Sequence, residues 1–270
     1  MTRSPRMALK FAANLNFLFT EKASTIAERI RLAHQSGFRA VEIPYPEGEI
    51  RDVVSAIRET GVVVSLVNLA FDKSNDQLRF GSTSVPGAEG LFQKQLDATI
   101  DFAKYVNCQK IHLTAGLLTK GQETDYTKTY TSNLKIAADS LRANQMIGVI
   151  EPINKYAVPG YFMNSYVTAS GVLTEVGADN IKLLADLYHL QHIHGNVTKT
   201  LEEYKSQIGH FQIAQVPHRH EPDTAGELDY DYVFKRLREF GYDGWIGCEY
   251  KPRTTTVEGL SWVTKLGHSL

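Results

Sequence analysis

The sequence predicts one α/β domain over residues 1–270, a closed (β/α)8 barrel of parallel strands. Three observations predict it. Short β-branched runs alternate with segments of helical periodicity, which argues for a parallel sheet. Eight such strand-then-helix units fill 270 residues with no linker or low-complexity break, and one such barrel takes about 250 residues. Several runs end in an acid or a polar loop, as strands do when they deliver functional groups to one edge of a sheet. An open doubly wound sheet is the alternative. It is weakened because no glycine-rich phosphate fingerprint follows the first strand.

The elements follow in order. Phe11 to Leu15 reads as the first strand. Ser24 or Thr25 caps a helix carrying Ile26, Ile30 and Ala33, stopped by Gly37. Ala40 to Ile43 is the second strand, ended by Pro44. Glu49 to Thr60 is helical, with Gly61 behind it. Val62 to Leu69 is a buried third strand, and a loop with Gly81, Pro86 and Gly87 follows. Leu91 to Tyr105 is helical and Lys110 to Leu113 is the fourth strand. Thr114 to Asp125 is loop, and Tyr126 to Asn144 is helix. Met146 to Ile150 is the fifth strand, followed by a loop from Pro152 to Met163. Ser165 caps a helix from Tyr166 to Val176, and Ile181 to Ala185 is the sixth strand. A helix from Thr198 or Thr200 runs to Ile208, and His210 to Ala214 is the seventh strand. Asp231 to Phe240 is helical, with Gly241 after it. Trp245 to Glu249 is the eighth strand, and Val257 to Leu266 is the last helix.

Composition narrows the function. The chain is 43% hydrophobic and 22% charged, with a net charge of −1. Such a balance gives no field for nucleic acid or an anionic membrane. Cys108 and Cys248 are the only cysteines, so no disulfide framework is expected and a reducing cytoplasm suits the chain. Asn14 and Asn16 interrupt the apolar stretch behind Arg3 and Arg6, a poor secretory signal. The longest apolar run, Val62 to Leu69, is too short to span a bilayer. The expected partner is a small molecule, with an anionic one needing a local basic group; self-association into a homo-oligomer is left open.

The candidate site lies at the strand ends, where barrels of this kind carry their chemistry. Glu151, Asp186 and Glu249 end the fifth, sixth and eighth strands, and Gln212 lies on the seventh between them. A single strand-end acid is as readily a helix cap. Three acids facing one volume repel one another and demand a cation. The expected metal ligands are therefore Glu151, Asp186, Gln212 and Glu249. All-oxygen ligation points to Mg²⁺ or Mn²⁺. His189, beside Asp186, and Arg219, in the loop past strand seven, are the substrate-binding candidates; a forked guanidinium suits a carboxylate. His192 and His194 read as solvated. Cys248 points toward the helices, because neighbours on a strand face opposite ways. Glu42 reads as substrate-side or structural, His112 as mouth-facing or core, and His218, His220 and Glu221 as loop-holding groups.

Several stretches are similar to one family. They are Phe11-Ala12-Ala13-Asn14-Leu15, Val85-Pro86-Gly87, Glu151-Pro152-Ile153-Asn154, Asp186-Leu187-Tyr188-His189, His218-Arg219-His220-Glu221-Pro222 and Gly247-Cys248-Glu249-Tyr250-Lys251-Pro252. Together they resemble the hydroxypyruvate isomerase family, within the xylose isomerase-like barrels. The resemblance spans nearly the whole chain. It implies interconversion of hydroxypyruvate and tartronate semialdehyde, with Glu151 and Glu249 as the catalytic pair. It implies the same four metal ligands, and substrate contacts from His189 and Arg219. Relatives acting on 2-oxo-tetronate share the Cys-Glu-Tyr-Lys-Pro-Arg ending. Ketose 3-epimerases carry a second Glu six residues after the first, where this chain has Ala157. Gln215 and Lys155-Tyr156 depart from common residues and are expected to tune substrate choice. Two rivals remain. An endonuclease IV-type hydrolase needs a histidine cluster for zinc and a basic surface. A non-catalytic sugar-acid sensor needs neither glutamate.

Overall fold

Eight parallel strands close on themselves, each pairing with the next and β1 with β8. They are β1 (Lys10–Asn14), β2 (Ala40–Ile43), β3 (Val63–Asn68), β4 (Lys110–His112), β5 (Ile147–Ile150), β6 (Ile181–Asp186), β7 (Ile208–Ile213) and β8 (Trp245–Cys248). The helices are α1 (Ile26–Gln35), α2 (Ile50–Thr60), α3 (Glu89–Tyr105), α4 (Glu123–Ala143), α5 (Tyr166–Val176), α6 (Leu187–Ile193), α7 (Val197–Glu203), α8 (Tyr230–Phe240), α9 (Thr256–Gly259) and α10 (Ser261–Lys265). This computed structural model describes residues 8–72 and 74–270. Arg3 and Arg6 lie outside the described residues.

The helix boundaries follow from chemistry visible in the sequence. Thr25 and Ser165 accept from the backbone N–H groups of Glu28 and Thr168, closing the first turns of α1 and α5. Gly61 and Gly241 end α2 and α8 at φ +69° and +81°, where a side chain would be strained. The main apolar core fills the space between strands and helices. A separate small cluster of Leu66, Val149 and Leu184, with Ile147 against it, plugs the barrel interior. The rest of that interior is polar: Asn14, Glu42, His210 and Gln212 are all buried.

Three elements differ from expectation. Leu187–Ile193 forms α6 directly on the end of β6, because Asp186 accepts from the backbone N–H of Tyr188 and caps it. The segment's seven residues are too short to show a helical period. α7 ends at Glu203 rather than Ile208, which begins β7. The last helix divides at Leu260, next to Gly259, where a Cβ would stand 2.4 Å from the Glu221 carboxylate.

The β1–β8 seam is sealed by aromatic side chains. Phe11 meets Trp262, Phe234 and His268 at ring separations of 5.1, 5.5 and 5.2 Å. Trp262 is fully buried and donates Nε1–H to the Tyr250 hydroxyl at 3.1 Å. Replacing Trp262 with Ala should lower stability by about 3–5 kcal/mol in urea denaturation. A loss below about 1 kcal/mol would mean that this cluster does not seal the barrel.

Candidate active site

The carboxylates gather at the C-terminal mouth because each ends a strand. Glu151 follows β5, Asp186 closes β6 and Glu249 follows β8. Gln212 on β7 is in register with Asp186 on one side and Gly247 on the other. Glu151, Asp186 and His189 bring one ligand-type atom each within 4.8 Å of one another. Glu249 joins this group through Arg219. The Nη2 of Arg219 lies 2.6 Å from Glu249 Oε2 and 3.1 Å from Asp186 Oδ2. Five of the six predicted residues thus meet at one mouth; Gln212 lies beside Asp186 by strand register, its amide NH₂ donating inward to Glu42.

Arg219 is held from every side. Its guanidinium stacks between Phe17 and Tyr188, 4.6 and 4.8 Å from the ring centres, and its Nε–H donates to the Glu249 carbonyl at 3.1 Å. Its own backbone sits at φ +58°, a conformation costing a non-glycine residue about 1–3 kcal/mol that persists only where the surroundings impose it. Gln215 imposes much of it. Its Nε2 donates to the carbonyls of Pro222, Thr224 and Leu228, and its Oε1 accepts from Val216 and Leu228 N–H. The expectation that Gln215 tunes substrate choice is therefore corrected: its side chain is spent on the loop. His220 and Glu221 tie the same loop to the segment after β8, through the Lys251 carbonyl and the Arg253 N–H.

His189 has a defined proton. Its Nδ1 accepts the backbone N–H of Asn154 at 3.1 Å, so the neutral ring carries its proton on Nε2. That Nε2–H faces Asp186 Oδ2 at 3.6 Å and Glu151 Oε1 at 3.8 Å. Burial holds the imidazole well below its ordinary pKa. A protonated Nε2 has no lone pair for a cation but suits a substrate oxygen. His112, also buried, lies 3.6 Å from Glu151 Oε2, and burial depresses it to about 4.

Burial, and then the neighbouring acids, push the Glu151 carboxyl well above its usual range. Burial also raises Asp186, against the pull of Arg219, and lifts Glu249 to about 8. Burial opposes the charge on Arg219, but Glu249, Asp186 and Glu151 outweigh it and raise its pKa. Of the proposed ligand oxygens, Glu151 Oε1 and Gln212 Oε1 are buried with no hydrogen-bond partner. Three carboxylates and an amide oxygen, two of whose acceptor atoms are unpartnered, fit a hard divalent cation.

Sequence reasoning left four contributors without a role. Asn154 orients His189, Asn14 donates to Glu249 Oε1 at 3.2 Å, and Phe17 and Tyr188 flank Arg219. Asn14, Asn154 and Tyr188 stood inside the family-like stretches; nothing local marked Phe17. His192 is not merely solvated, since it packs on Tyr188 at 4.7 Å and Tyr156 at 5.6 Å. Cys248 is buried in the outer core, as expected.

A model of the xylose isomerase-like TIM barrel matches residues 30–266. The chain is 82% identical to a Drosophila melanogaster protein named "Putative hydroxypyruvate isomerase", over 98% of this chain and 100% of that one. It is 36% identical to the Escherichia coli hydroxypyruvate isomerase, over 94% and 98% of the two chains. The chain belongs to the hydroxypyruvate isomerase family. It is an isomerase built on this barrel. The 2-oxo-tetronate isomerase of Cupriavidus necator is 38% identical over 94% of this chain and 97% of that one. A solved Brucella melitensis structure named AP endonuclease, family 2, superposes with a TM-score of 0.90 at 33% identity. It covers 95% of this chain and 98% of that one. Among the described residues no helix is long and apolar enough to cross a membrane.

The raised Glu249 carboxyl makes stability depend on pH. A folded pKa of about 8 against 4.5 means its contribution is whole below 4.5 and is lost as pH rises through 8. Urea midpoints of EDTA-treated protein should show Glu249→Gln gaining on the wild type between pH 5 and pH 9. Parallel profiles would show that Glu249 titrates normally.

Proposed function

We propose that this protein interconverts hydroxypyruvate and tartronate semialdehyde (2-hydroxy-3-oxopropanoate), with Glu151 and Glu249 exchanging protons with substrate carbon. The observation carrying this reading is that two buried carboxyls of raised pKa share one mouth with a forked cation and a neutral imidazole N–H. In the forward direction a proton leaves C3, which bears the hydroxyl, and one returns to C2. The hydroxyl proton passes from O3 to O2, so the atoms balance through an enediolate. One glutamate takes the carbon-bound proton and the other returns one. Arg219 holds the substrate carboxylate by paired hydrogen bonds, and His189 donates Nε2–H to a substrate oxygen.

Glu151, Asp186, Gln212 and Glu249 would hold Mg²⁺ or Mn²⁺. When bound, the cation stabilises the negative charge that develops on the two substrate oxygens. Ligation also keeps both glutamates ionised, which bounds their strength as bases. Positioning must then supply much of the rate. The 2-oxo-tetronate reading uses the same machinery on a substrate one carbon longer. A zinc hydrolase needs a histidine-rich cluster. Here three carboxylates ring the mouth, and the histidine beside them presents a proton rather than a lone pair.

Glu151→Gln and Glu249→Gln should each lower kcat/KM for hydroxypyruvate by about 10²–10⁴-fold, with the circular dichroism spectrum unchanged. Retention of more than about a tenth of the wild-type rate, a loss under about 1.4 kcal/mol, would contradict the assigned roles. EDTA should abolish turnover, and Mg²⁺ or Mn²⁺ should restore it. EDTA-resistant turnover would remove the cation from the account.

A further inference from the structure

Below the mouth lies a buried polar chain that the reaction does not touch. Lys110 Nζ lies 2.9 Å from His210 Nδ1 and donates to the Gly209 carbonyl at 2.9 Å. His210 Nε2 meets Glu42 Oε1 at 2.5 Å. Glu42 Oε2 accepts from Gln212 Nε2 at 2.7 Å and from Asn14 Nδ2 at 3.0 Å. Each link can pair in only one sense. An ammonium only donates, so His210 Nδ1 accepts and the ring proton sits on Nε2. A carboxylate only accepts, so both amides must turn their NH₂ groups toward Glu42.

The consequence appears on the far side of each amide. With its NH₂ spent on Glu42, Gln212 presents Oε1 elsewhere, and that oxygen is buried without a partner. Asn14 uses the same NH₂ to reach Glu249 Oε1 at 3.2 Å, while its Oδ1 accepts from Asn16 N–H at 3.0 Å. The two ends of an amide have nearly the same shape, so packing alone does not choose between them; for Gln212 it is Glu42 that chooses, while the Asn14 amide is also fixed by Asn16 N–H. β8 makes room for it. A Cβ on Gly247 would stand 2.3 Å from both Glu42 carboxylate oxygens.

We propose that Glu42 is a positioning residue that locks the Gln212 amide with its oxygen toward the cation site and, through Asn14, steadies the Glu249 carboxylate. The proposal rests on the cation-dependent reading above. An amide turned the other way would offer a cation only N–H protons. Glu42 thus decides whether Gln212 is a ligand at all, although it touches neither substrate nor cation.

Titration of the EDTA-stripped full chain with Mn²⁺ alone, followed by calorimetry, tests this. Glu42→Gln keeps the shape and an acceptor for His210 but turns an NH₂ toward Gln212. It should weaken Mn²⁺ binding at least tenfold with the circular dichroism melt still cooperative. The double variant Glu42→Gln/Gln212→Glu restores a donor-to-acceptor pair and should recover binding to wild-type strength or better, a rescue that a merely structural role would not give. Gly247→Ala, which presses on Glu42 without changing its chemistry, should also weaken binding, and with the double variant it decides the matter if Glu42→Gln fails to fold. Wild-type affinity in Glu42→Gln or in Gly247→Ala, or a double variant no better than the single, would overturn the positioning role and leave the cation reading standing. A wild-type chain that binds no Mn²⁺ would overturn both.

Discussion

Glu151, Asp186 and Glu249 share one buried volume with a single guanidinium, and the rest of the molecule is arranged around that imbalance. Like charges this close cannot all stay ionised without compensation. Arg219 supplies one positive charge, 3.1 Å from Asp186 and 2.6 Å from Glu249. Among the described residues Glu151 has no such partner in contact; its nearest basic neighbours are His112 and His189, whose pKa values burial lowers. What remains is pushed into raised pKa values. The surplus negative charge and the unpartnered oxygens at this mouth are what support the proposal that it takes up a cation.

The scaffold positions these groups in two ways. Strand register sets Gln212 between Asp186 and Gly247, so Asp186 and Gln212 sit on hydrogen-bonded strands, and Glu151 and Glu249 follow one residue past the ends of β5 and β8. Arg219 does sit on a loop, but Gln215, the Lys251 N–H and two aromatic rings hold it in a strained backbone conformation. The barrel interior departs from the usual packing of branched apolar residues. An apolar plug of Leu66, Val149 and Leu184 coexists with the chain from Lys110 to Gln212. Burying such a chain is tolerable because every internal link is satisfied. Glu42 stays ionised despite its burial because His210, Gln212 and Asn14 all face it.

Much of this was legible in the sequence where local chemistry decides. β2 falls on Ala40–Ile43 and α5 on Tyr166–Val176, because Pro44 and Ser165 punctuate them. The mouth residues were legible because strand-end acids in a barrel have one place to go. α6 was not, since its seven residues start on Asp186, whose capping role was hidden behind its expected role as a ligand. Gln215 misled for a related reason. A polar residue beside the site suggests substrate contact, whereas its amide is consumed by five backbone groups of its own loop. Glu42 was the least legible residue. Its partners His210 and Gln212 lie 168 and 170 positions away, and only the closed barrel brings them face to face.

A crystal structure of the protein grown with Mn²⁺, with the ion located by its anomalous scattering, tests the central claim most directly. The account predicts one ion held by oxygens of Glu151, Asp186, Gln212 and Glu249 at about 2.0–2.3 Å, with Arg219 drawn off the carboxylates. An ion bound elsewhere, or an empty mouth with Arg219 still bridging Asp186 and Glu249 at saturating Mn²⁺, would contradict it.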